Sequence, residues 1–195
     1  MALQRVCVFC GSSGGGNPRY REQATALGRI LAARRIELVY GGGGVGLMGA
    51  LADSVLAAGG HVIGIIPRAL LEREVEHRGI QDLRVVGTMH ERKQQMASLS
   101  DAFVAMPGGF GTLEEFCEVL TWSQLGLHRK ACGLLNVARF FDPLLNLFDS
   151  AVAEGFLKPV HRDLVLADSD PSRLLDRLSE VEVPKVDKWI QPSEA

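Results

Sequence analysis

Between Arg5 and Leu178 the sequence alternates short apolar, β-branched runs with longer stretches of helical periodicity, and few architectures accept that alternation other than a parallel sheet packed with helices. The strand-like runs are 5–9, 37–40, 61–66, 83–86, 102–106, 131–135 and 164–166. Helical stripes recur between them: Ala24, Leu27, Ile30 and Leu31; Leu47, Leu51, Val55 and Leu56; Leu144, Leu147, Phe148 and Ala151. Asp170-Pro171 marks a helix start, an N-cap followed by proline at the first helical position. Residues 68–81 are charged and poorly periodic, and read as a loop. The expected fold is α/β, with one domain over residues 1–182 and a C-terminal tail over 183–195.

Composition narrows what such a domain can do. The chain has 195 residues, a formal net charge of −2 and 47% hydrophobic residues, with no basic run or face, which argues against a nucleic-acid binder working by bulk electrostatics. No segment reaches the ~18 continuous apolar residues of a membrane span. Met1 is not followed by an apolar stretch with a small-residue cleavage site, so the expected compartment is the cytoplasm. The cysteines suggest little chemistry. Cys7 and Cys10 are spaced C-x-x-C, but strand alternation sends them to opposite faces, and Cys117 and Cys132 have no partner cluster with histidine. Neither a metal, a disulfide nor a cofactor is expected.

Ligands of open parallel sheets bind outside the carboxyl ends of the strands, and three glycine-rich turns fall there: 10–17, 41–46 and 107–111. Gly44-Val45-Gly46-Leu47-Met48-Gly49 matches G-x-G-x-x-G, but the next strand ends Gly64-Ile65-Ile66-Pro67, with no carboxylate for ribose hydroxyls. That favours a mononucleotide or sugar phosphate over a dinucleotide. The competing reading is that these glycines only let helix and strand pack closely.

Pro107-Gly108-Gly109-Phe110-Gly111-Thr112-Leu113-Glu114-Glu115 joins a glycine turn, a helix start and a carboxylate directly after a buried strand. Glycines let backbone N–H groups approach a bound anion, and the helix N-terminus adds about half a positive charge. Local sequence favours a structural role for Thr112 and Glu115 as a capping box, with Thr112 the N-cap and Glu115 at N3. The glycine turn ahead of it brings Glu115 toward the anion site, where a carboxylate can stabilise an oxocarbenium-like transition state or direct water. Met89-His90-Glu91-Arg92-Lys93 lies at another helix start. Arg92 offers a bidentate fork and Lys93 a point charge, although alone this segment reads as an exposed charged turn.

Taken together and in this order, Gly41-Gly42-Gly43 with Gly46-Leu47-Met48-Gly49, then Met89-His90-Glu91-Arg92-Lys93, then Pro107 to Glu115, resemble the LOG proteins. These are cytokinin riboside 5'-monophosphate phosphoribohydrolases, long mislabelled as lysine decarboxylases. The resemblance implies a Rossmann-like nucleotide-binding catalytic domain, a homodimer, and hydrolysis of the N-glycosidic bond of N6-modified AMP and of AMP, releasing free base and ribose 5-phosphate. Carried over by position, Arg92 and Glu115 match the catalytic pair, while Lys93, Gly109, Phe110, Gly111, Thr112 and Thr121 match substrate-binding positions. Gly108 joins them on the phosphate loop, and Gly42 and Gly43 on the glycine rim. Glu74 matches an acidic substrate contact, in a loop from Leu71 to Gly79 that departs from the family pattern. The implied partner is a nucleoside 5'-monophosphate, not nucleic acid or a membrane. A decarboxylase using pyridoxal phosphate would need a Schiff-base lysine in a tuned setting, which Lys93, Lys130, Lys158, Lys185 and Lys188 do not show. The competing class is a non-catalytic carrier of a nucleotide or of the molybdenum cofactor, which would use the glycine loops without an Arg92 and Glu115 pair.

Overall fold

The computed structural model describes residues 3–71, 77 and 79–184. Its elements in chain order are β1 (Arg5–Phe9), α1 (Pro18–Ala33), β2 (Glu37–Tyr40), α2 (Gly46–Ala57), β3 (Val62–Pro67), α3 (Arg68–Leu71), β4 (Asp82–Val86), α4 (Met89–Leu99), β5 (Ala102–Ala105), α5 (Phe110–Gln124), β6 (Ala131–Leu135), α6 (Asp142–Ala153), α7 (Pro159–Arg162), β7 (Val165–Asp168) and α8 (Pro171–Glu180). The seven strands form one sheet in the order β4-β3-β2-β1-β5-β6-β7, and every pairing is parallel.

Strand alternation divides the core in two. Val6, Val8, Leu38, Tyr40 and Val104 face α1, α2 and α8, packing on Leu27, Leu31, Leu51 and Leu174. Cys7, Phe9, Val39, Phe103 and Ala105 face the other way, against Met96 of α4 and Phe116 and Val119 of α5. The inner strands β1, β2, β3, β5 and β6 are buried on both sides, as a parallel sheet covered by crossover helices requires, while the edge strands β4 and β7 are partly exposed. Cys7 and Cys10 fall into opposite clusters and all four cysteines are free.

Local signals set the helix starts. The Asn17 side chain accepts from the Arg19 N–H at 3.0 Å with Pro18 at the first position, and Asp170 accepts from Arg173 N–H at 2.8 Å with Pro171 in the same role. The expected stripe of α6 needs one correction. Leu147 is 62% exposed, and Leu145 takes its place beside Leu144 and Phe148 against the core. Within 68–81, expected to be loop throughout, residues 68–71 form the short α3, while residues 72–76 and 78 lie outside the described set. At the other end, Val181 and Val183 still pack on the core, and the rest of the expected tail, 185–195, is likewise outside it.

The order places β1 between β2 and β5, so chain direction along the sheet reverses there. This is where a crevice opens at the carboxyl edge of such a sheet. The loops after β1 and β5 meet across it, with Gly11 N–H donating to the Pro107 carbonyl at 3.1 Å. No helix of the described residues is long and apolar enough to cross a membrane.

Candidate active site

The crevice holds a cavity of about 310 Å³, lined from β1 and its loop, from Gly41, from α4 and from the start of α5. Helix α5 begins at Phe110 with Gly109 as N-cap, and no side chain caps it. This corrects the expected capping box: Thr112 lies at the third helical position, and Glu115 at the sixth, one and a half turns in. The extended backbone of Gly109 lets the helix start early, so Glu115 turns inward and is only 9% exposed. The first amides of a helix have no partner inside it, and here Gly109, Phe110, Gly111 and Thr112 line the cavity, giving an anion site without a competing side chain. Gly108 stands just behind them, where a methyl group would strike the Thr112 hydroxyl and the Gly11 amide.

The second glycine turn behaves otherwise. The leading amides of α2, Leu47 and Met48 N–H, donate to the Gly11 carbonyl at 3.0 and 3.4 Å. The G-x-G-x-x-G match therefore serves close packing of α2 on the β1 loop, and the free helix terminus is that of α5. Gly42 and Gly43 are buried and lie off the cavity lining, which Gly41 provides, and the Gly42 carbonyl accepts from His77 N–H at 3.2 Å.

Arg92 projects from α4 and is 8% exposed. Its Nη2 lies 3.8 Å from Glu115 Oε1 and donates to the Gly41 carbonyl at 3.4 Å, its Nη1 reaches Met89 Sδ at 3.8 Å, and its buried Nε has no partner. These are long contacts for a buried guanidinium, which ordinarily holds its partners at about 2.7–2.9 Å. Burial pushes the Glu115 carboxyl up from its usual range; Arg92 opposes that shift, Glu114 adds to it, Lys93 opposes it and Glu118 adds to it. Buried acid and under-satisfied cation thus face one space beside a free helix N-terminus.

The remaining expected positions are distributed unevenly. Lys93 is turned away from the cavity lining, its ammonium 2.5 Å from Glu114 Oε1 and 2.9 Å from Glu118 Oε1. Thr121 lies on another face of α5, its hydroxyl donating to the Cys117 carbonyl at 2.8 Å, in an apolar groove with Phe148 and Phe156. Glu74 falls outside the described residues. Sequence reading missed Met89 and Met96, which line the cavity on either side of Arg92. Their spacing, i, i+3 and i+7 with Arg92 in the middle, is one face of α4 and was the available signal. Glu114 and Cys10 also line the space without having been singled out. Among the described residues no group of three His, Cys, Asp or Glu side chains could hold a metal ion.

Comparison with known proteins places the chain in a family. A family model described as "Possible lysine decarboxylase" matches residues 48–178. The chain is 54% identical over 178 residues, covering 91% of it and 78% of the relative, to the probable cytokinin riboside 5'-monophosphate phosphoribohydrolase LOGL9 of Oryza sativa subsp. japonica. It is 49% identical over 186 residues, 95% of it and 85% of the relative, to cytokinin riboside 5'-monophosphate phosphoribohydrolase LOG7 of Arabidopsis thaliana. Among solved structures, the molybdenum cofactor carrier protein of Chlamydomonas reinhardtii shares the fold, with a TM-score of 0.68 at 21% identity over 90% of this chain and 96% of that one. On sequence identity across nearly its whole length, the chain belongs to the LOG family of phosphoribohydrolases.

Proposed function

We propose that this protein is a phosphoribohydrolase that cleaves the N-glycosidic bond of N6-modified adenosine 5'-monophosphates, and of AMP, to free base and ribose 5-phosphate. One observation carries the reading: a buried guanidinium with only long contacts faces a buried carboxylate at 3.8 Å, beside an uncapped helix N-terminus. A buried cation without close partners is costly, and an anionic ligand in the cavity would relieve it. The names of the relatives, at about half identity, supply the reaction class.

In this reading the 5'-phosphate sits on the amides of 110–112 and Arg92 orients the nucleotide. The bond between C1' and the base nitrogen breaks, and positive charge develops on the ribose ring. The ionised Glu115 stabilises that charge and directs water to C1'. The water oxygen ends on C1', and the departing base takes up a proton. Such carboxylate stabilisation in a desolvated site is worth several kcal/mol. Glu115→Gln keeps the shape and removes the charge, so base release is expected to fall at least ~100-fold with the fold intact. A folded Glu115→Gln protein releasing base at the parental rate would refute the assignment.

Pyridoxal phosphate chemistry does not fit here, because among the described residues no lysine lines this cavity and Lys93 beside it is paired with two glutamates. The carrier alternative shares only the fold and leaves the Arg92 and Glu115 pair without a use. A cytoplasmic homodimer completes the reading. It rests on the family resemblance and on apolar side chains left on the surface around α6, with Phe156 at 88% and Leu147 at 62% exposure.

A further inference from the structure

Helix α5 carries three carboxylates within five residues, Glu114, Glu115 and Glu118, and among these Glu115 is the buried one. Glu118 stands three residues after Glu115 and four after Glu114, so it neighbours both on the helix, where like charges repel. That repulsion falls hardest on the least solvated member. Lys93 lies where it can answer it. Its side chain is 12% exposed, its ammonium bridges the two flanking carboxylates at 2.5 and 2.9 Å, and it is absent from the cavity lining. Two of its three N–H donors are thereby taken by glutamates.

We propose that Lys93 is a positioning residue: by clamping Glu114 and Glu118 and cancelling their charge, it keeps Glu115 ionised and paired with Arg92. This rests on the reading of Glu115 as the working carboxylate. Among the described residues, the titratable and charged groups around Glu115 are Arg92 and Lys93 from α4, Glu114 and Glu118 from α5, and the thiols of Cys7 in β1 and Cys10 just after it. Burial pushes both thiols up, so they stay neutral through the working range. Burial pulls Lys93 down, but its hydrogen bonds to Glu114 and Glu118 outweigh that and keep it a cation. Without Lys93, Arg92 alone would face three carboxylates. Glu114, which already lines the cavity, would then be free to compete for that guanidinium and to repel an anionic substrate.

The test is direct titration of Glu115 by carbon-13 NMR of the glutamate carboxyl carbons in the full chain, its signal assigned by its loss in Glu115→Gln. In Lys93→Gln the midpoint is expected to rise by on the order of one pH unit. In Lys93→Arg it stays near the parental value, and in Lys93→Gln with Glu118→Gln it moves back. Glu118→Gln alone, which leaves the clamp lysine in place, lowers the midpoint and reads the same coupling should Lys93→Gln not fold. The acid limb of kcat moves in step with the midpoint. An unchanged midpoint in Lys93→Gln overturns the proposal. So does a Lys93→Gln protein whose nucleotide KM rises while its acid limb stays put and Glu118→Gln gives no rescue, the behaviour of a lysine seated on the phosphate. The titration needs no turnover, so a shifted midpoint in a protein inactive on every nucleotide would refute the hydrolase reading and retain the Lys93 coupling.

Discussion

At Glu115, burial and charge act in opposite senses, and burial prevails: the carboxyl titrates above its usual range despite Arg92 beside it. A group whose folded-state pKa lies above its unfolded value adds stability below the unfolded pKa and loses it as pH rises through the folded one. At neutral pH the ionised Glu115 is therefore a liability to the fold. Glu115→Gln is expected to melt no lower than the parent at pH 7, with any advantage vanishing as pH falls below the ordinary glutamate range, where the parental carboxyl is protonated in both the folded and the unfolded chain. Thermal unfolding followed by circular dichroism across that range checks this. Gly41 gives a second prediction. A methyl group there would collide with the end of the Arg92 side chain, which can move more cheaply than backbone. Gly41→Ala should keep its melting temperature to within a few degrees yet lose about 10- to 100-fold in base release, because the guanidinium is displaced. The roles of single residues were only partly legible in sequence. Arg92 and Glu115 stood out through their motifs, whereas the two glutamate partners of Lys93, 21 and 25 residues away, could not be read from its motif.

The same four-residue signature, T-x-x-E, occurs at 88–91 and at 112–115, and the two helices use it differently. On α4 it is a true capping box: Thr88 accepts from Glu91 N–H at 3.1 Å, and Glu91 reaches back to the Thr88 amide at 3.3 Å and the Gly87 amide at 2.7 Å. On α5 the helix begins at Phe110 after an extended Gly109, and Gly108 leaves room for the Thr112 hydroxyl, so Thr112 is already inside the helix and Glu115 is released for the cavity. A pattern of four residues cannot tell these cases apart; where the helix starts relative to it can. The cap on α4 matters to chemistry because that helix carries Arg92 and buries only Arg92, Met96 and Ala97. Thr88→Ala is expected to cost about 0.5–2 kcal/mol of stability, read from denaturant unfolding, and to raise KM more than a surface substitution would. Where helices pack on the sheet along long stripes, as α1 and α2 do, periodicity alone located them. α6, which has no buried residue, shows one difference from the expected stripe, Leu145 facing the core in place of Leu147.

Across the whole molecule, the seven-stranded parallel order turns three separate glycine loops into one rim, because β1 sits beside both β2 and β5. The alternation of strands and helices was readable from hydrophobic period, and with it the expectation that these loops converge. Which loop would keep its amides free was not readable. That depends on the Gly11 carbonyl capturing the start of α2 and leaving α5 open, a contact between loops more than 30 residues apart in sequence. In the proposed reading, β1, α2 and their loop wall the cavity, while α4 and α5 supply the cation, the carboxylate and the anion seat. The decisive measurement is product analysis with purified protein, N6-isopentenyl-AMP and AMP in oxygen-18 water. Hydrolysis at C1' gives free base and ribose 5-phosphate in equal amounts, with no heavy oxygen in the phosphate. Nucleotide that binds but returns unchanged, or products carrying the label in inorganic phosphate, would contradict it.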